Sequence, residues 1–262
     1  MSTRDAILDE ICIIERQHDV QVLYACESGS RAWGFASEGS DFDVRFVYKR
    51  PIGEYLRLQK PKDVIECTTD AENFAMGVDF DAVGWDLGKF LTLMRGSNPS
   101  AIEWMHSPIV YHEDSRFWKA KKLSRECFDP VSSAWHYYGM AKKHDVRYLK
   151  DEKVLAKKYL YILRGILSAK WSIKRFSPAP ITFDELEKAI LLPELRPKVD
   201  ELVKVKRQGP EKALVEHDSA LDNYIYANLN DLPAEIGKYR HHEPVEWAKV
   251  EQVYRNLLGL DL

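Results

Sequence analysis

The chain has 262 residues, of which 45% are hydrophobic, 11% aromatic and 30% charged, with a formal net charge of -3 at pH 7. That balance excludes a disordered polyelectrolyte and a surface that is basic throughout, and the length allows one large domain or two of moderate size. No apolar run approaches the roughly 20 residues of a membrane span, and the opening MSTRDAILDEIC carries acids and a base where a signal peptide needs an unbroken apolar stretch, so a cytoplasmic protein with no membrane partner is expected.

In chain order, Ser2 or Thr3 caps a first helix with Ile7, Leu8, Ile11 and Ile14 on one face. VQVLYAC at 20–26 is short, apolar and β-rich, the pattern of a buried strand. A Gly/Ser-rich stretch, ESGSRAWGFASEGS, leads into DFDVRFVYK, which alternates: Phe42, Val44, Phe46 and Tyr48 on one face, Asp41, Asp43, Arg45 and Val47 on the other. VIECT at 64–68 and VDFDAV at 78–83 read as further strands, after which GWDLGKFLTLMRG turns helical. The second half is a succession of helices, the clearest at 154–176. Ser177-Pro-Ala-Pro180 ends that helix, and Thr182 with Glu185 predicts a capping box for the next one. The last helix carries Trp247, Val250, Tyr254, Leu257 and Leu258 at core spacing. The expected architecture is α+β: a mixed-sheet domain with flanking helices over residues 1–118, then an all-helical domain over residues 119–262.

Charge is unevenly distributed. From Asp63 to Asp86 there are seven acids and no Lys or Arg, whereas Lys142 to Arg175 holds eleven bases against three acids. Such an arrangement fits metal in one half and an anion in the other, or simply two solvated faces of opposite sign. Cys12, Cys26, Cys67 and Cys127 are widely spaced and none forms C-x-x-C, so buried inert thiols are expected rather than a zinc site or a disulfide framework.

Asp41 and Asp43 are placed by the alternation on one strand face, roughly 6–7 Å apart. Like charges that close repel unless a cation lies between them, and paired carboxylates suit Mg²⁺, which takes one or two of them plus substrate phosphates. A lone D-x-D is more often the solvated side of an edge strand. Two features argue for more. Gly29-Ser30 follows a buried strand, where a turn offers N–H groups and a hydroxyl to a phosphate. VDFDAV supplies a further strand acid, and three carboxylates with a phosphate cradle form the arrangement for two-metal, in-line transfer at phosphorus. No G-x-x-x-x-G-K-[ST] loop and no G-x-S-x-G elbow is present.

The order strand, G-S, D-h-D and later strand acid resembles the nucleotidyltransferases of the DNA polymerase beta superfamily. The run ESGSRAWGFASEGSDFDVRFVY at 27–48, with GWDLGKFL at 84–91, NPSAIEW at 98–104 and SPIVY at 107–111, is similar to the subfamily linked with RNA ligases and RNA repair. The resemblance covers residues 20–111 and continues more loosely into KKYLYILRGILSAKW at 157–171. It implies a palm-like sheet closed over by the helical domain. It also implies a metal-dependent reaction that moves NMP from an NTP to an acceptor hydroxyl and releases pyrophosphate. Gly29 and Ser30 would bind the triphosphate, and Asp41 and Asp43 would hold two Mg²⁺ or Mn²⁺ ions. Asp81 is the choice for the third carboxylate; Asp79 and Asp86 are rivals, and Asp86 also suits a helix cap. For cations facing the triphosphate, Arg31, Lys89, Lys142, Lys158 and Arg164 are the candidates, against the alternative of salt bridges and a solvated basic face. His136, Tyr137, Tyr138, Tyr159 and Tyr161 could stack on a base or fill a core. RNA is the favoured acceptor. Transfer to a protein or small molecule uses the same chemistry, and a non-catalytic nucleotide-binding module is the alternative of a different class.

Overall fold

The computed structural model describes residues 1–148, 152–210 and 212–260. Helix α1 (Thr3–His18) opens with a reciprocal cap: the Ser2 hydroxyl accepts from the Asp5 N–H, and the Asp5 carboxylate accepts from the Ser2 N–H. Strand β1 (Gln21–Glu27) follows, then the short helix α2 (Gly29–Trp33), strand β2 (Phe42–Lys49) and the single turn α3 (Ile52–Tyr55). Strands β3 (Val64–Thr69) and β4 (Phe80–Asp86) lead to helices α4 (Leu87–Arg95) and α5 (Pro99–His106) and to strand β5 (Val110–Glu113). β4 starts two residues later than the alternation predicts and takes in Gly84–Asp86, so α4 begins only at Leu87.

The five strands form one mixed sheet in the order β3-β4-β2-β1-β5. β2 and β4 run parallel, with Asp43 opposite Asp81 and Phe46 opposite Gly84; the other neighbours are antiparallel. Phe42, Val44, Phe46 and Tyr48 face α1 and bury against Ile7, Ile11, Phe80 and Ala82, as the alternation requires. The opposite face carries Asp43 and Arg45 at one end, while Val47 at the other is fully buried under α4 and α5 with Leu87, Phe90 and Trp104. One face is therefore polar where it is open and apolar where helices cover it.

The rest of the chain is helical: α6 (Trp118–Glu126), α7 (Pro130–Tyr148), α8 (Ala156–Arg175), α9 (Phe183–Ile190), a 3₁₀ turn at Pro193–Leu195, α10 (Arg196–Gln208), α11 (Ser219–Ile236) and α12 (Trp247–Leu258). The two-residue strands β6 (Val154–Leu155) and β7 (Leu214–Val215) pair before α8 and α11. α7 to α11 enclose a second core, which Phe35 enters from the sheet half. The expected division at residue 118 does not coincide with the division of the cores: α6 lies in the sheet-side core, and Val250 and Leu257 of α12 return to it beside Leu87 and Leu123. Thr182 stands at the N-cap of α9, but its side chain makes no capping hydrogen bond, so the predicted capping box is absent. Cys26 and Cys127 are buried as expected; Cys12 is exposed. Residues 149–151 of the basic stretch lie outside the described residues.

The segments that pass between the cores before α7 and after α11 are joined at Asp129. Its carboxylate accepts from the Ser132 N–H at 2.9 Å in the first turn of α7, from the His242 N–H at 3.0 Å, and pairs with His241 Nδ1 at 2.6 Å. Although its burial acts in the opposite direction, those hydrogen bonds hold the carboxyl down at about 2.

Gly84 is set by packing. A Cβ there would lie 2.1 Å from a ring carbon of Phe46, which covers the glycine across the parallel pair. Gly84→Ala is expected to lower stability by about 1–3 kcal/mol through overpacking, measurable as a fall in the urea midpoint with the slope unchanged.

Candidate active site

Asp43 and Asp81 stand directly opposite each other on the parallel strands. Arg45, two residues along from Asp43 on the same face, lies against both: Nη2 is 3.1 Å from Asp43 Oδ1 and 3.5 Å from Asp81 Oδ2. Asp41 precedes β2 by one residue rather than lying within it. Burial raises the Asp43 carboxyl above the usual range; the Arg45 charge opposes that shift, and the charges of Asp81 and Asp41 add to it. The rivals for the third acid are elsewhere. Asp79 accepts from the Ala71 N–H in the β3–β4 connection. Asp86 caps α4 through the Gly88 N–H and accepts from the Tyr55 hydroxyl, roughly 17 Å further along β4 than Asp81.

The Gly-Ser turn lies against these acids. Gly29 has φ +58°, and a Cβ there would sit 2.0 Å from Asp43 Oδ2, so both backbone conformation and space demand glycine. Ser30 is in the first turn of α2 and largely buried. The loop to Asp41 is fastened by cations. Arg31 Nε donates to the Asp41 carbonyl at 3.0 Å, and the guanidinium lies 3.8 Å over the Phe42 ring. Lys206 of α10, 1% exposed, reaches Ser40 Oγ at 3.2 Å. Glu27, 1% exposed at the end of β1, accepts from the Asp43 N–H at 2.8 Å and from the Tyr111 hydroxyl at 2.6 Å. Burial pushes its carboxyl up to about 7 against those two hydrogen bonds.

A cavity of about 200 Å³ opens beside Arg45, walled by Trp33, Trp85, Trp104 and His136, with Ser28 and Glu103 at its edge. Burial lowers the His136 imidazole, which favours its neutral form. Three expected phosphate ligands are engaged differently. Arg31 holds loop carbonyls, as above. Arg164 is buried, paired with Glu103 Oε1 at 3.0 Å and stacked 4.3 Å from the Trp33 ring, so it braces α2 from behind. Lys89 pairs with Asp63 at 3.1 Å near the far end of β4. Lys158 lies 5.3 Å over the Tyr161 ring at the start of α8, and Lys142 lies 5.6 Å over Tyr138 on α7. Of the proposed stacking residues, Tyr137 and Tyr159 are core, and Tyr161 packs edge-on against Trp33. His136 alone of that set lines the cavity.

Glu27, Arg45 and Lys206 have no assigned role in the sequence reading. Glu27 is a charge that ends an apolar run, and the alternation does put Arg45 beside Asp43. Lys206, between Lys204 and Arg207, carries no such signal. As to metal, no three His, Cys, Asp or Glu side chains among the described residues converge as a ready-made site. The donor set nevertheless suits a hard cation: Asp43 and Asp81 face each other with one guanidinium between them, and burial, with the charges of Asp81 and Asp41 added, raises the Asp43 carboxyl.

Gly29→Ala is expected to cost more stability than Gly34→Ala. Both glycines have positive φ, but a Cβ at Gly34 meets nothing within 4 Å; chirality alone costs about 1–2 kcal/mol at each, so an excess at Gly29 in thermal denaturation measures the clash with Asp43. Glu27 also predicts a pH dependence. Its folded value of about 7 exceeds its ordinary 4.5, so its contribution to stability is full below 4.5 and is lost as pH rises through 7. Calorimetry should show a component of the melting temperature falling over that window in the wild type and missing in Glu27→Gln.

Residues 3–256 match the family model RlaP, described as the RNA repair pathway DNA polymerase beta family. The chain is 37% identical over 228 residues to the Bacillus subtilis (strain 168) protein named "Uncharacterized protein YcgL", covering 86% of this chain and 85% of that one. A solved nucleotidyltransferase-like protein from Exiguobacterium sibiricum 255-15 is 11% identical and aligns over 99% of this chain and 89% of its own, at a TM-score of 0.33, a likeness too slight to carry weight. With almost its whole length matched, the chain belongs to the RNA repair pathway DNA polymerase beta family, of nucleotidyltransferases of the DNA polymerase beta type.

Proposed function

We propose that this protein transfers NMP from an NTP to a hydroxyl at an RNA end, with release of pyrophosphate. The observation that carries the reading is the facing of Asp43 and Asp81 across the parallel strands, with Asp41 close enough for its charge to act on Asp43. Asp41, Asp43 and Asp81 would hold Mg²⁺ or Mn²⁺, which when bound supplies charge neutralisation at the phosphates and acidifies the acceptor hydroxyl.

The chain's own groups account for the rest. Gly29 lets the Gly-Ser turn lie directly against the Asp43 carboxylate, with no side chain of its own in between. Arg45 is a fixed positive charge between the acids and the cavity, suited to oxygens on which charge builds. The acceptor oxygen bonds to the α-phosphorus while the bond from that phosphorus to the bridging oxygen breaks. The hydroxyl proton passes to a carboxylate, by position Asp81, and pyrophosphate carries off the electron pair. Trp33, Trp85 and His136 offer ring faces and edges to a base. RNA as acceptor is supported by the family's description and by exposed Lys142, Lys143, Lys174 and Arg175, although Arg164 and Lys170 of the same stretch are occupied within the fold.

The test is label transfer from each α-³²P NTP with Mg²⁺ or Mn²⁺, offering RNA, tRNA, DNA and total protein in turn. The expected result is label on RNA that disappears in the Asp41→Ala, Asp43→Ala double variant, with RNA affinity falling steeply as salt rises. Label on protein keeps the chemistry and replaces the acceptor. Nucleotide binding without transfer to any acceptor overturns the enzymatic reading.

A further inference from the structure

Glu27 occupies the point where the pairing of β1 with β2 gives way to the Gly-Ser turn. Its register partner is Val44, and the next residue, Ser28, donates its N–H to the Asp43 carbonyl at 2.8 Å. The turn then carries the main chain away from β2, and the Asp43 N–H takes its acceptor from a side chain: Glu27 Oε1, at 2.8 Å. Both backbone polar groups of Asp43 are thus taken by two consecutive residues of one strand end.

The clamp is itself held from the other side. Tyr111 of β5 donates to Glu27 Oε2 at 2.6 Å, the Ser107 hydroxyl donates to the Glu27 carbonyl at 2.6 Å, and the Glu27 N–H donates to the Ile109 carbonyl at 2.9 Å. A line of hydrogen bonds therefore runs from the sheet edge at β5 to the peptide of Asp43. With the Asp43 N–H and C=O both held, one on each side of its Cα, the Cα–Cβ direction is fixed too, and Gly29 and Arg45 bound its carboxylate. An apolar side chain at 27 would leave a buried N–H and a buried hydroxyl without acceptors.

We infer that Glu27 is a positioning residue, which aims the Asp43 carboxylate by clamping its backbone N–H and is itself anchored by Tyr111. The inference rests on the proposed role of Asp43. Glutamine is nearly isosteric with glutamate: its amide oxygen can accept from the Asp43 N–H, and its amide N–H can donate to the Tyr111 oxygen. Alanine does neither.

The experiment compares wild type, Glu27→Ala, Glu27→Gln and Tyr111→Phe in the label-transfer assay. Mn²⁺ affinity is measured in parallel by electron paramagnetic resonance, and melting temperature controls for folding. Glu27→Ala should lose up to about 100-fold in kcat with the KM for NTP little changed, since a small misplacement of a reacting group suffices for that. It should also bind Mn²⁺ more weakly. Glu27→Gln should restore most of both, and Tyr111→Phe should fall between. Wild-type kcat and Mn²⁺ affinity in Glu27→Ala overturn the inference. So does equal impairment of the Ala and Gln variants, which would make charge rather than geometry the contribution. If Glu27→Ala does not fold, Gln and Phe decide: an impaired Gln variant, or a wild-type Phe variant, overturns it. A wild type that binds Mn²⁺ but transfers no label overturns the enzymatic reading alone, and the Mn²⁺ series then decides the inference.

Discussion

Two parallel strands in one particular register set Asp43 against Asp81, and the fold must bear the cost of putting like charges side by side. The cost is offset locally. Arg45, from the same face of β2, supplies one positive charge against the pair. The register is held from the opposite face, where the Phe46 ring lies over Gly84 and α1 covers both strands. A slip of one residue would turn the acids toward α1 and the phenylalanines toward the cavity. The packing that makes the sheet stable is therefore also what brings the acids together.

The helical half contributes to this site without supplying an acid to it. Phe35 packs in the helical core, edge-on to Phe183 at 5.8 Å. Trp33 lies between Arg164 and Tyr161. Lys206 is buried against the serines that precede Asp41. Each of these contacts grips the chain between Gly29 and Asp41, a segment with little regular structure of its own. The Lys206 ammonium reaches the hydroxyls of both Ser37 and Ser40, so one side chain of α10 holds that loop at two points.

Local patterning carries much of the architecture. The alternation in Phe42–Tyr48 separates the two faces of β2, and the Asp43 side of it is the side the cavity opens on. Of the three acids weighed for the third position, the register sets Asp81 opposite Asp43, while Asp79 accepts from a loop N–H and Asp86 caps α4. What the sequence could not reveal is partnership. Lys89 reads as a cation beside an acidic segment and Arg164 as one of a basic stretch, but whether a cation faces phosphate or a carboxylate depends on which elements pack together, and their partners Asp63 and Glu103 lie far along the chain. Glu27 escaped for the same reason, since its acceptor role exists only once β1, β2 and β5 are assembled. The return of α12 to the first core is likewise a tertiary fact, because its apolar stripe would suit either core.

The double crossing at Asp129 has a mechanical meaning. A single linker lets one half of a molecule swivel freely on the other. Here the chain passes out at the start of α7 and back after α11, and one carboxylate ties both passages together. Two segments pinned side by side resist torsion, and Phe35, Arg164 and Lys206 join the same two halves through a second set of contacts. The helical half is thus fastened to the sheet in the manner of a panel bolted along two edges rather than hung from one.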